Sequence, residues 1–156
     1  MATDAVVITV SDRSAAGARV DESGPLAADL LGEGGWRASV VVVPDDRDAI
    51  GRAVRDAAVG GARLIVTTGG TGLGPRDVTP EATAPLLRIA LPGIAERIRA
   101  AGSVPTAALS RGVAGIVGDA LLINLAGSPG AVRDGIPVVL DVAEHALSQL
   151  DGRDHG

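Results

Sequence analysis

The sequence predicts an α/β protein of three layers, α/β/α, with helices on both faces of a mostly parallel sheet. Three observations carry that expectation. Residues 5–10, 37–43 and 62–68 hold apolar runs rich in valine and isoleucine, as expected of strands in a covered sheet. Helical segments separate them, so the first half reads β-α-β-α-β, and such alternation implies right-handed crossovers into a parallel sheet. Finally, 156 residues with 46% hydrophobic side chains and a mean hydropathy of +0.31 suffice for one domain, residues 1–156, with its own core.

The first strand, 5–10, ends at Ser11-Asp12-Arg13. A polar, glycine-containing segment, 14–24, then leads to Pro25, a favoured first helical residue, and a helix to about Leu31. Glycines at 32, 34 and 35 break it. The second strand, 37–43, closes at Pro44-Asp45-Asp46. Residues 48–59 read as a helix with Ile50, Ala53, Val54, Ala57 and Ala58 on one face, stopped by Gly60-Gly61. The third strand, 62–68, runs into Gly69-Gly70-Thr71-Gly72-Leu73-Gly74. A third helix is expected over 80–89 and a short one over 93–101, whereas 105–111 carries no clear pattern. Apolar runs at 112–117 and 120–125 flank Gly118-Asp119, a hairpin signal. After the turn Gly127-Ser128-Pro129-Gly130, residues 136–150 read as the last helix and 151–156 as a frayed tail.

Composition excludes more than it suggests. There is no cysteine and no lysine; all 14 basic residues are arginine. Thiol nucleophiles, thiolate metal sites, lysine Schiff bases and Walker-type phosphate loops are therefore ruled out. The two histidines, His145 and His155, fall near the C-terminus. Any catalysis must rest on carboxylates, hydroxyls, arginines and backbone amides. A net charge of −5 and a pI near 4.9 argue against non-specific nucleic-acid binding, which needs a basic face. Trp36 is the sole aromatic residue, which leaves almost no platform for stacking bases. The first residues lack the basic and apolar regions of a signal peptide. No apolar run approaches the roughly 20 residues of a membrane span, and the expected location is the cytoplasm.

In a parallel sheet the residues after each strand gather on one rim, where open α/β sheets bind ligands. That rim receives Ser11 and Asp12, then Asp45, then the glycine loop with Asp77. Gly69, Gly70, Gly72 and Gly74 would let backbone amides approach an anion closely. Three carboxylates without lysine suggest a hard cation such as Mg²⁺, shared with substrate phosphates. Structural readings compete. Asp12 serves equally as a turn former, and Asp77 could bond the loop's own amides or pair with Arg76. Asp46 and Asp48 are better placed than Asp45 to cap the following helix, which favours a functional Asp45. Thr79 before Pro80 reads as a helix cap, Asp21 as a turn or cap residue, and Ser128 as the cap of a helix beginning at Pro129. Arg13, Arg76 and Arg111 could add charge at the site or sit solvated.

The run Thr68-Gly69-Gly70-Thr71-Gly72-Leu73-Gly74-Pro75-Arg76-Asp77-Val78-Thr79-Pro80-Glu81 resembles the signature of the molybdopterin-binding MogA/MoaB family, which acts in molybdenum-cofactor biosynthesis. The resemblance extends to Thr9-Val10-Ser11-Asp12, Asp21-Glu22-Ser23-Gly24-Pro25, Val43-Pro44-Asp45, Leu109-Ser110-Arg111 and Asn124-Leu125-Ala126-Gly127-Ser128-Pro129, so it covers the chain in order. It implies a MogA-like fold that assembles as a trimer. It also implies Mg²⁺- and ATP-dependent adenylation of the terminal phosphate of molybdopterin, with a non-catalytic molybdopterin-binding or scaffold protein as the alternative. By resemblance, Asp45 and Asp77 match carboxylates assigned to catalysis or Mg²⁺. Ser11, Asp21 and Ser110 match positions linked to binding or turnover. Gly69, Gly70, Thr71, Gly72 and Gly127, Ser128, Pro129 match the ligand cradle, which Asp12 and Arg76 would border. Ala126 stands where the family usually has proline, which loosens that late turn.

Overall fold

A computed structural model describes residues 3–153. Residues 1–2 and 154–156, which include His155 and half of the tail expected to fray, lie outside the described residues. Six strands form one sheet in the order β2-β1-β3-β6-β5-β4. They are β1 (Thr3–Val10), β2 (Trp36–Val43), β3 (Leu64–Thr68), β4 (Ile89–Ala90), β5 (Ala114–Val117) and β6 (Ala120–Leu125). β2, β1, β3 and β6 run parallel, whereas β5 pairs antiparallel with β6 and β4 antiparallel with β5. The mostly parallel sheet and the hairpin at Gly118-Asp119 are thus as the sequence predicts. Gly118, with φ +57°, supplies the left-handed turn residue.

Helices cover both faces. They are α1 (Asp12–Ala15), α2 (Ser23–Glu33), α3 (Arg47–Val59), α4 (Thr79–Thr83), α5 (Pro92–Ala101) and α6 (Pro129–Leu150). On one face Val7, Leu64, Val66, Leu121 and Ile123 pack with Leu31 of α2 and with Ile136 and Val139 of α6. On the other, Ile8, Ile65 and Leu122 pack with Ile50 and Val54 of α3. Alternate residues of the central strands β1, β3 and β6 thus feed two separate apolar layers, which is why those runs had to be apolar throughout.

α1 is not expected from the sequence, and three of the expected helices differ from expectation. α2 begins at Ser23 rather than Pro25, because Asp21 Oδ1 accepts the Gly24 amide at 3.0 Å and holds the first turn. The helix expected over 80–89 stops at Thr83. Pro85, which has no amide hydrogen, sits in a 3₁₀ turn at Ala84–Leu86. The chain then extends as β4, with the Arg88 amide on Ile116 O and the Leu91 amide on Ala114 O. α6 begins at Pro129, as the reading of Ser128 as a cap has it, rather than at Ile136, and runs through Gly135 and Pro137. Its buried Val132, Ile136, Val139, Ala143 and Leu147 recur every three or four residues, and packing of that stripe outweighs the poor local propensity. A methyl group at Gly135 would meet Leu125 Cδ2 at 2.7 Å, so glycine there lets α6 approach β6 closely.

Candidate functional site

The chain passes from β1 out to β2 and back across β1 to β3, so the connections diverge between the ends of β1 and β3. Open α/β sheets form a crevice at such a point. A cleft of about 590 Å³ opens there. Ser11 of the first rim segment, Asp21 before α2, Gly69, Gly70, Thr71 and Gly72 of the loop, and Asp77 all line it. Ser110, Gly127 and Ser128 line it as well. Asp12, Asp45, Arg76 and Pro129 do not. The N-termini of α2 and α6 both reach the cleft, through Ser23 and Ser128, and helix N-termini favour anions.

The loop after β3 is held in shape from three sides. Gly69 and Gly70 have φ +97° and +69°, which only glycine adopts without strain. Side chains there would also collide, with Val10 O at Gly69 and with Thr79 Oγ1 at Gly70. The Gly69 amide donates to Leu125 O at 3.0 Å. Gly127 packs so closely that a Cβ on it would lie 3.0 Å from Gly69 Cα. The two glycine turns the sequence singles out thus touch, and Ala126 completes the turn between them along the cleft.

Thr79 does not cap α4. Its buried hydroxyl instead donates to Gly69 O at 2.9 Å and its amide to Gly70 O at 3.0 Å. Arg111 is a strap rather than a free cation. Its guanidinium donates to Gly72 O and Asp77 O, both at 2.9 Å, and to both oxygens of Glu81 at 3.0 and 2.8 Å. That guanidinium holds the Glu81 carboxyl below the usual carboxylate range.

The three rim carboxylates are differently employed. Asp12 and Asp45 exchange hydrogen bonds, each accepting the other's amide at 2.9 Å. Asp12 also takes Arg76 in a two-pronged pair, both contacts at 3.0 Å. Arg76 therefore bonds Asp12, not Asp77. Asp77 Oδ2 accepts the Gly74 amide at 2.9 Å, so part of its role is to close its own loop. Asp45 Oδ1 lies just behind Gly70, at 3.3 Å from where a Cβ would stand. Asp46, not Asp45, caps α3, accepting the Ala49 amide at 2.8 Å. Ser128 caps α6 through the Ala131 amide at 3.1 Å. His145 sits exposed on α6, 3.0 Å from Gln149, and does not line the cleft.

Residues 6–145 match the family described as "Probable molybdopterin binding domain". The chain belongs to this family. A molybdopterin biosynthesis protein from Mycobacterium abscessus has the same fold, with a TM-score of 0.92, 49% identity, and 96% of this chain and 97% of that one covered. The "Molybdenum cofactor biosynthesis bifunctional protein" of Synechococcus elongatus is 43% identical over 97% of this chain and 49% of its own length. The present chain therefore spans about half of that relative. The "Molybdopterin adenylyltransferase" of Helicobacter pylori is 36% identical, with 94% of this chain and 86% of that protein covered.

In this molybdopterin-binding domain the sequence reading misses Thr9, Thr68, Ser23, Arg99 and Asp134, all of which line the cleft. Thr9 and Thr68 are polar residues at strand ends, a signal that was present. Arg99 and Asp134 lie inside helices, α5 and α6, and only packing brings them to the cleft. Asp134 is held below the usual carboxylate range by the amide and hydroxyl of Ser103, each 2.8 Å away.

Electrostatics separate Asp12 from Asp45. Hydrogen bonds from Arg76, and then from the Asp45 amide, pull the Asp12 carboxyl down. Burial pushes Asp45 up, and the neighbouring charges of Asp12 and Asp77 add to the rise against the Asp12 amide and Arg76. A folded-state pKa above the unfolded value means that ionisation of Asp45 costs the fold. The cost is absent below the unfolded carboxyl pKa of about 3.9 and complete once pH exceeds the raised value. Asp45→Asn, whose amide oxygen can still accept the Asp12 amide, should therefore raise the thermal midpoint at pH 7. That gain should vanish near pH 3, as thermal melts across pH would show. A lower midpoint at pH 7 would contradict it.

Proposed function

We propose that this chain adenylates the terminal phosphate of molybdopterin, using ATP and Mg²⁺ and releasing pyrophosphate, in molybdenum-cofactor biosynthesis. The observation that carries this reading is one cleft bounded by a glycine loop, two helix N-termini and Asp77. Such a site offers amides to two phosphate-bearing substrates. The name of the Helicobacter pylori relative supports the same activity. In the reaction, an ionised oxygen of the terminal phosphate attacks the α-phosphorus of ATP. The bond from that phosphorus to the bridging oxygen breaks, and pyrophosphate leaves with the electron pair. No general base is required, which suits a chain without lysine or cysteine.

The protein's part is to hold two anions together and to neutralise charge as it develops. Amides of the loop, fixed by Thr79 and Arg111, present hydrogen bonds at the cleft. Asp21, Glu22, Asp77 and Asp134 border the cleft against Arg19 and Arg99 only, so two polyanionic substrates need added positive charge. Asp77 at the cleft, with Asp45 behind the Gly70 backbone, would hold a divalent cation. Each has one oxygen on a backbone amide, and for each Oδ1 no protein donor is found among the described residues. Those residues contain no group of three acidic, histidine or cysteine side chains placed to hold a metal. Two carboxylates sharing a cation with substrate phosphates is how Mg²⁺ is commonly held. Mg²⁺, when bound, would supply charge neutralisation to the phosphates.

The alternative is a molybdopterin-binding or scaffold protein without turnover. Incubation with molybdopterin, ATP and Mg²⁺ should yield adenylated molybdopterin and pyrophosphate. Binding of both substrates without product, where an active adenylyltransferase turns over, would select the alternative. The reading includes a trimer. Edge strand β2 exposes Val40, Val41 and Val42, an uncovered apolar edge of the kind proteins usually protect. A monomeric mass by light scattering would refute the trimer.

A further inference from the structure

The floor of the cleft holds an unsatisfied group. The Thr68 hydroxyl is buried and has no hydrogen-bond partner, the one such side-chain atom among the described residues. The residue is 1% exposed, yet it lines the cleft. A buried hydroxyl left unpaired is costly, and native proteins rarely keep one without a use. Its place gives the reason. Thr68 is the last residue of β3 and pairs in register with Thr9 of β1, so both side chains stand on one face, where the connections of the sheet diverge. Beneath them that face is wholly apolar, with Val7 and Val66.

We infer that the Thr68 hydroxyl binds the substrate, pairing with the N–H-bearing edge of a nitrogen heterocycle seated at the divergence between β1 and β3. The chemistry of its surroundings selects that class of group. The neighbouring Thr9 hydroxyl donates to Asp21 Oδ2 at 2.7 Å, and Asp21 Oδ1 accepts the Gly24 amide at 3.0 Å. The floor is thus rich in acceptors and carries a negative charge, which repels phosphate and suits a neutral donor edge. Phosphate belongs one step along, at the amides of Gly70–Gly72 and the start of α6. Threonine's staggered rotamers exchange methyl and hydroxyl at the wall without moving the backbone, so the group becomes paired as the ring arrives. Both proposed substrates, adenine in ATP and the pterin of molybdopterin, carry such an edge. The inference rests on the cleft being their site.

The test uses the full chain with Thr68→Val and Thr68→Ser, titrated with ATP, with molybdopterin and with ring-free inorganic pyrophosphate, beside thermal melts. Thr68→Val should melt no lower than the wild type, because it removes an unpaired hydroxyl. It should also bind one of the ring-bearing ligands about ten-fold more weakly, the worth of one hydrogen bond, with pyrophosphate unchanged. Thr68→Ser should restore that affinity. Unchanged affinity for both ring-bearing ligands would overturn the inference, as would a lower melting point, which means the hydroxyl is already paired in the free protein. An equal loss for pyrophosphate would overturn the heterocycle assignment. If the wild type binds neither ATP nor molybdopterin, the proposed function itself falls, a result distinct from failure of the threonine alone.

Discussion

Asp77→Asn should lower the rate of adenylyl transfer by about 10²–10³-fold, the usual effect of removing one group that acts on developing charge. The asparagine oxygen can still accept the Gly74 amide that Asp77 Oδ2 holds at 2.9 Å, so the loop should keep its shape. The substitution therefore separates the two roles that the geometry gives this residue. The proper comparison is single-turnover formation of adenylated molybdopterin beside a thermal melt. A rate within a few-fold of the wild type would leave Asp77 as a loop-closing residue only. Asp45→Asn should lose turnover as well while gaining stability at neutral pH, because the burial and like charges that strain Asp45 are what a cation would relieve. Stability and activity moving in opposite directions at one carboxylate is the signature of a site held in tension for use.

Gly70→Ala should be a strongly disruptive change in the loop. Its φ of +69° is strained for any side chain, and the new methyl would collide with Thr79 Oγ1 and come within 3.3 Å of Asp45 Oδ1. Left-handed strain and overlap together cost about 2–5 kcal/mol. The expected result is a cooperative loss of stability in denaturant titration and loss of substrate binding in whatever fraction stays folded. Gly17→Ala is the control. It shares a positive φ of +75° but has nothing within 4 Å, so it should pay the conformational strain without the collision. Equal losses in the two variants would show that backbone strain alone governs the loop.

Much of the fold was legible in local chemistry. The apolar runs at 5–10, 37–43 and 62–68, separated by helices, could scarcely be anything but parallel strands, and glycine with aspartate at 118–119 marked the hairpin. Errors fell where distant contacts overrode local preference. Pro85 ended the helix expected over 80–89, and β4 exists because β5 offers Ile116 O and Ala114 O to the flanking amides of Arg88 and Leu91. The last helix is expected over 136–150, yet the stripe from Val132 to Leu147 packs against the sheet and carries α6 from Pro129 through Gly135 and Pro137.

The candidate site divides in the same way. The sequence by itself determined the residue types available, the rim to which Ser11, Asp45 and Asp77 are delivered, and the membership that the glycine loop announces. It did so because strand order along the chain and the steric needs of glycine are local matters. Only the tertiary structure decided which group each side chain meets. It tied Arg76 to Asp12 and Arg111 to Glu81, turned Thr79 from a cap into a lock on Gly69, set Asp45 behind the loop, and left the Thr68 hydroxyl without a partner among the described residues. Those outcomes depend on pairings between residues 10 to 64 positions apart, which no local pattern encodes.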